Sequence, residues 1–252
     1  MSIDARFGAQ TSTTTAVFLR RPRGHYGRRP PAPDEESPHL VTTTPIRCTC
    51  GRLRGALEGV DHGRGGLRLS CLCLDCRTYA HLLGRADDIL DPYGGTDIIQ
   101  VAPAQVRIEA GHDALRCTRL TGKGLFRWNA RCCDTPIGNT MSSRRVPFIG
   151  VATICVDLDD DARDERIGPS RATVNAPPGQ TALPPNAGRG SQLSVVFRSI
   201  GLLAGAYLRG RHRPHPFFGE DGTPIVGPEV ATADELAAAR ARVDVTPRVA
   251  PG

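Results

Sequence analysis

From Pro45 onward the chain carries short stretches of alternating or β-branched residues broken by glycine, the period-2 texture of strands. The stretches 45–50, 53–59, 67–73, 98–102, 105–109, 115–120, 124–132 and 148–158 read as strands. Between Cys76 and Leu83 the spacing predicts a short helix, and ADDILDPYGGTD reads as a loop with a Gly-Gly turn. Further on the period lengthens. Leu193, Val196, Ile200, Leu203 and Tyr207 recur at three- and four-residue steps, predicting a helix over 192–209 with one apolar face. ATADELAAARARV predicts a second helix, opened by Thr232 as N-cap with Glu235 completing a capping box. Between the two, RGRHRPHPFFGEDGTPIVGP reads as an extended segment held to the surface by Phe217 and Phe218.

These elements divide the chain. Residues 1–44 are rich in Arg, Pro and Thr with no apolar periodicity, which predicts a disordered tail. Residues 45–158 form the predicted β domain, and 159–191 read as a linker from the acidic start and the Pro and Gly content of NAPPGQTALPPNAGRG. Residues 192–252 form a helical C-terminal extension. The fold class expected is mainly β.

Composition narrows the partners. Nine cysteines is an odd number, and no N-terminal stretch supplies the about 7–15 apolar residues of a signal-peptide core, so a reducing, cytoplasmic setting is expected. The longest apolar run, Ile200–Leu208, is too short to span a bilayer, and no membrane partner is expected. The net charge of +6 points weakly toward nucleic acid. It is spread along the chain and carried, Lys123 apart, by arginine, with few aromatic residues for base stacking, so nucleic acid is not the expected partner.

The cysteines carry the chemistry. Cys48 and Cys50 lie in CTCG, Cys71, Cys73 and Cys76 in CLCLDC, and Cys132 and Cys133 side by side. Thiols so close are hard to join in separate unstrained disulfides, and two residues apart on a strand they point the same way. A shared zinc ion is the expected occupant. In CLCLDC three thiolates meet one metal, leaving a fourth tetrahedral position either open for chemistry or closed by a further ligand such as His81 or a distant cysteine. Cys48 and Cys50 need partners, for which Cys132 and Cys133 are the candidates if the chain turns at Asp134–Thr135. Cys117 and Cys155 sit in apolar runs and read as buried small hydrophobes. His81 is also considered as a group supporting the metal site or as a general base. The other histidines, and Asp75, read as exposed polar residues, and Trp128 as core.

Taken together, CTCG, CLCLDC, GGTDIIQ with VRIEAG, and ARCCDTPIGNT resemble the family of glutathione-dependent formaldehyde-activating enzymes and centromere protein V, over about 45–158. The whole chain, with its HRPHPFF and TPIVGP segments, is similar to an uncharacterised bacterial subgroup of that family. The resemblance implies an Mss4-like zinc-binding β fold with two zinc sites. Cys71, Cys73 and Cys76 would hold the catalytic zinc, and Cys48, Cys50 and Cys133 the structural one. The chain departs from the family pattern late: Ala130 stands where the first cysteine of the last pair is expected and Asp134 where a glycine is expected, with Cys132 the available substitute.

The activity implied is that of a zinc-dependent carbon–sulfur lyase acting on a small thiol–aldehyde adduct such as S-hydroxymethylglutathione. No dedicated glutathione motif is present, although Arg77 and Arg131 could pair with substrate carboxylates. Two alternatives stand beside it. One is a non-enzymatic zinc-stabilised protein that binds a partner, the other a redox- or metal-sensing thiol protein using Cys73 and Cys76.

Overall fold

A computed structural model describes residues 42–62, 64–178, 180, 183–184 and 192–245, all within one unit spanning Leu40–Gly252. The expected tail lies outside the described residues except at its end. Thr43 and Thr44 belong to the first strand, β1 (Thr43–Arg47), where Thr44 and Ile46 point inward and their neighbours outward. β1 pairs antiparallel with β2 (Arg54–Glu58), and β5 (Val106–Ala110) completes a sheet in the order β1-β2-β5. Gly55 sits at the bulge in the β2–β5 pairing, where a Cβ would lie 2.1 Å from the Arg107 carbonyl oxygen, so no other residue fits there.

The second sheet has eight strands. In spatial order they are Thr173–Val174 (β10), Leu67–Cys71 (β3), Thr96–Val101 (β4), Ile149–Ala152 (β9), Thr135–Thr140 (β8), Phe126–Ala130 (β7), Leu115–Arg119 (β6) and Pro228–Val230 (β11). β3, β7, β8 and β9 are buried at every position, which places protein on both faces and removes the alternation expected of a half-solvated strand. The main core gathers Ile46, Leu57, Ile99, Trp128, Ile137 and Ile149 between the sheets.

The architecture is mainly β, as expected; ADDILDPYGGTD, expected as loop, opens with a short helix, α2 (Ala86–Ile89), and three larger differences follow. β8 was not expected, because Pro136, Gly138 and Asn139 are poor strand formers. Pro136 is accommodated at a register shift against Asn129, and Gly138 lets the Gly150 carbonyl approach to 3.0 Å of where a Cβ would stand. The second difference is the expected linker 159–191, whose described part holds a helix and a strand. Asp159 caps α3 (Asp160–Ile167) by accepting from the Ala162 amide at 2.8 Å, with Asp160 and Asp161 in the first turn. The nearly buried Arg68 of β3 ties the helix down: its guanidinium pairs with Asp97 at 2.8 Å and with Asp164, and donates to the Gly168 carbonyl at 2.8 Å.

The third difference is the orientation of the helix predicted at 192–209, α4 (Gln192–Leu208). Its inner side is not the predicted apolar face. Val195 and Leu202 pack on Leu67, Leu69, Ile98 and Ala172, and Ser199 Oγ hydrogen-bonds Gln100 at 2.8 Å. Of the predicted positions Leu193, Val196, Ile200 and Tyr207 face outward, and Leu203 is half-buried.

The rest of the extension follows expectation. Phe217 and Phe218 are buried, stacked on Trp128 at 4.6 Å and Phe126 at 6.0 Å between ring centroids. α5 (Ala233–Val245) opens with the capping box: Thr232 Oγ1 accepts from the Glu235 amide at 3.2 Å, and Glu235 accepts from the Thr232 amide at 2.8 Å. Leu236 of α5 packs beside Tyr79, Leu83 and Leu120.

Candidate metal centres

The seven clustered cysteines form two groups, each with its sulfurs within 4.8 Å of one another: Cys48, Cys50, Cys132 and Cys133 in one, Cys71, Cys73 and Cys76 in the other. Neither group is built from strand alternation. β1 ends at Arg47, and Cys48 and Cys50 occupy the turn that follows. Gly51 takes φ +76° there, and the Leu53 amide donates to Cys48 Sγ at 3.2 Å, folding the loop back around the sulfur. Cys132 and Cys133 lie in the tight turn between β7 and β8. Asp134 takes a positive φ of 51°, tolerated for aspartate, while its carboxylate accepts from Arg116 and from Asn129 Nδ2 at 3.3 Å. The turn brings both neighbouring thiols to the same point.

Sulfur–sulfur distances in the four-cysteine group are 3.5 Å for Cys48–Cys50, 3.8 Å for Cys48–Cys132, 3.2 Å for Cys50–Cys132 and 3.8 Å for Cys132–Cys133. Four thiolates about 2.3 Å from a tetrahedral metal are separated by about 3.8 Å, so this set fits an ion of zinc's size and ligand preference. Burial opposes ionisation of Cys133, but hydrogen bonds from Thr135 and the Cys50 amide outweigh it and lower its pKa to about 6. Arg85 braces the group from outside, donating to the Cys133 carbonyl at 2.8 Å and to Thr49 Oγ1 at 3.1 Å.

The three-cysteine group spans an element boundary. Cys71 ends β3, Cys73 is the N-cap of α1 (Leu74–Leu82), and Cys76 lies in the first turn of that helix. The Cys76 amide donates to Cys73 Sγ at 3.4 Å, and Cys76 and Cys71 sulfurs are 3.8 Å apart, one edge of the same tetrahedron. Cys71 and Cys76 are buried and Cys73 half-buried. Hydrogen bonding from Cys73 and Cys76 holds the Cys71 thiol far below the ordinary range, and the same sharing raises Cys73 and Cys76. No fourth His, Cys, Asp or Glu joins it among the described residues.

Two residues not anticipated from the sequence complete these surroundings. Arg127, buried in β7, lies with NH1 3.9 Å from Cys76 Sγ and its guanidinium carbon 5.1 Å from the centre of the Tyr79 ring. Asn175, just after β10, donates from Nδ2 to Cys71 Sγ at 3.5 Å. A small cavity beside Cys76 is lined by Tyr79, Thr96, Arg127 and Asn139, and Thr96 Oγ1, buried, has no hydrogen-bond partner among the described residues. Tyr79 in turn donates to Asn129 at 3.2 Å, and Asn129 to Asp134, linking α1 to the turn that carries Cys133.

The remaining candidates sit elsewhere. Cys117 and Cys155 are fully buried and belong to neither group, and burial pushes both thiols up to about 12. His81, near the end of α1, supplies no donor atom to either group. Arg77 is buried and donates to Gln180, while Arg131 is exposed and lies 3.9 Å from Glu229.

Comparison with known proteins adds a family and little else. Residues 40–229 match a "Family of unknown function (DUF6151)". No curated protein matches the chain. A crystal structure of a Rhodobacter sphaeroides protein, a Northeast Structural Genomics target, is similar at 16% identity with a TM-score of 0.33, covering 47% of this chain and 93% of that one.

Proposed function

Because the chain belongs to a family of unknown function (DUF6151), its activity has to be read from its own residues, and we propose that it is a zinc-dependent carbon–sulfur lyase acting on a small thiol–aldehyde adduct such as S-hydroxymethylglutathione. The observation that carries this reading is the three-donor group at Cys71, Cys73 and Cys76 with a small, mostly apolar cavity at its side into which Thr96 and Arg127 bring polar groups. Three protein ligands leave one position of a tetrahedral ion for a substrate, whereas the four-cysteine group closes its ion and serves structure. The order of the cysteine motifs, which resembles that of formaldehyde-activating enzymes and centromere protein V with their Mss4-like fold, supports the same division.

Zinc at the three-cysteine centre would supply a Lewis-acid position that favours the deprotonated form of a thiol. The chain's own residues do the rest. The cavity beside Cys76 has about 10 Å³ of free volume, the least that holds one water-sized group, which favours the smallest aldehyde fragment over larger ones. Thr96 Oγ1 and the Arg127 guanidinium line it and are placed to hold that fragment's oxygen. In cleavage the carbon–sulfur electron pair leaves with sulfur, the hydroxyl oxygen gives up its proton to solvent, and the carbonyl closes. The reverse sequence adds a thiol to the aldehyde. Arg127 offsets part of the negative charge that three thiolates bring into the interior, and half-buried Cys73 marks the side from which a thiol arrives.

Elemental analysis of the purified protein and of a Cys71/Cys73/Cys76→Ser variant tests the reading, together with an NMR assay of adduct cleavage. Two zinc ions falling to one, with cleavage lost, is the expected result. Thr96→Val should lower turnover with zinc content unchanged. Cleavage that survives the triple substitution would sink the proposal. A serine variant with unchanged zinc and no wild-type cleavage would favour a purely structural, partner-binding protein.

A further inference from the structure

We infer that α4 docks on the surface of an anionic phospholipid membrane, lying in the interface with its outer face among the acyl chains. Eleven large apolar side chains are exposed among the described residues, and six belong to this one helix: Leu193, Val196, Phe197, Ile200, Tyr207 and Leu208. Leu208 is 85% exposed, Leu193 and Phe197 64% each. At about 100° per residue these positions fall within an arc of about 120°, an uninterrupted apolar stripe. The opposite side of the helix is already committed to the protein through Val195, Leu202 and Ala206, so the stripe is free for another surface.

Charge selects the occupant. Between Arg166 and Gly219 the sequence contains no aspartate or glutamate. Arg171, Arg198, Arg209 and Arg211 line a cleft of about 430 Å³ along the helix flank, opened by Gly201 and Gly205, which carry no side chains to fill it. None of these four arginines forms an ion pair among the described residues. Such a flank repels a second copy of itself and attracts lipid phosphates, which long arginine side chains reach while the helix lies lower. A single helix facing outward is also a convex ridge. A fluid acyl layer accommodates a ridge without a shaped partner groove, which favours lipid over an acidic protein.

At 17 residues α4 is not a bilayer span, and no helix among the described residues is long and apolar enough to be one. The expectation of no membrane partner rested on span length and does not bear on a helix lying in the interface. The inference is also independent of the cysteine chemistry.

Vesicle flotation of the full chain tests it, with phosphatidylcholine vesicles and with phosphatidylcholine–phosphatidylglycerol vesicles, at low and high salt. The protein should float with the anionic vesicles at low salt and at least about tenfold less with neutral ones or at high salt. A Phe197→Ser/Ile200→Ser/Leu208→Ser variant should lose binding by at least about tenfold, and so should an Arg198→Gln/Arg209→Gln/Arg211→Gln variant, both melting as the parent does. Failure to float with anionic vesicles overturns the inference, as does an apolar variant that floats like the parent. So does a parent dimer, seen by sedimentation, that the apolar variant dissociates while neither protein floats; the stripe would then be a self-association face.

Discussion

The four-cysteine centre lies at the surface, with Cys50 and Cys132 exposed, and the three-cysteine centre lies inside, with Cys71 and Cys76 buried. Solvent exposure alone would assign chemistry to the first. Under the proposed function donor number assigns it to the second, since a divalent ion held by four thiolates would have no position left however wet its ligands are. The charges follow the same division. Four thiolates and a divalent ion leave a double negative charge, tolerable beside water with Arg85 bracing the turn. Three leave a single one, and a single buried cation, Arg127, stands next to it. Arg85 acts on the backbone and hydroxyls around the outer group, whereas Arg127 stands beside a sulfur of the inner one.

The largest effect should come from setting ligand loss in the two centres side by side. Cys48→Ser removes one donor of the group that joins the end of β1 to the β7–β8 turn, and because a structural zinc held there would contribute on the order of 10 kcal/mol to folding, this variant should fail to fold at growth temperature. Cys73→Ser should keep the fold, lose one zinc and lose all cleavage. Thermal melts and zinc content of both variants decide it, and equal unfolding would erase the distinction. Next in size is metal removal. Limited chelation should strip the three-cysteine centre first and leave the melting temperature nearly unchanged until the second ion departs; a single cooperative loss of both ions with unfolding would contradict this.

Charge substitutions probe the two arginines separately. Arg127→Leu should weaken zinc at the inner centre by about 10–100-fold and leave the outer ion in place, read by competition with a chromophoric chelator. Arg85→Ala should do the reverse within the same range, and a variant that loosens both ions alike would mean that the centres are coupled through Tyr79, Asn129 and Asp134. The smallest effect belongs to the cysteines outside both centres. Cys117→Ala should cost about 1 kcal/mol in chemical denaturation with zinc content unchanged, and any loss of zinc would make it a ligand after all.

The grouping of the seven cysteines into two sets was legible in the sequence, because spacing brought Cys71, Cys73 and Cys76 together and the Asp134 region announced the turn that aims Cys132 and Cys133 at one point. The capping box at Thr232 and the anchors Phe217 and Phe218 were legible for the same reason: each is a local device whose chemistry does not depend on distant partners. Arg127 was not. In FRWNA it occupies the position that alternation assigns to solvent, and only the protein on both faces of the second sheet buries it. Asn175 lay in a stretch whose prolines and glycines read as linker, and its place beside Cys71 depends on β10 pairing with β3. The α4 stripe was legible as a stripe but its outward orientation was not, since periodicity reports that a face is apolar without saying what covers it.

The two outermost strands of the second sheet have a consequence for how the chain must be made. β10 and β11 are only two and three residues long, run parallel to their neighbours, and come from downstream of every other strand. Until they arrive, β3 and β6 each present a row of unpaired amides and carbonyls to any passing chain. A version ending at Ala152 would hold every cysteine of both centres and still lack its fences, so it should accumulate as edge-to-edge aggregates. The extension beyond that point covers the strand edges of the half that carries the cysteine groups.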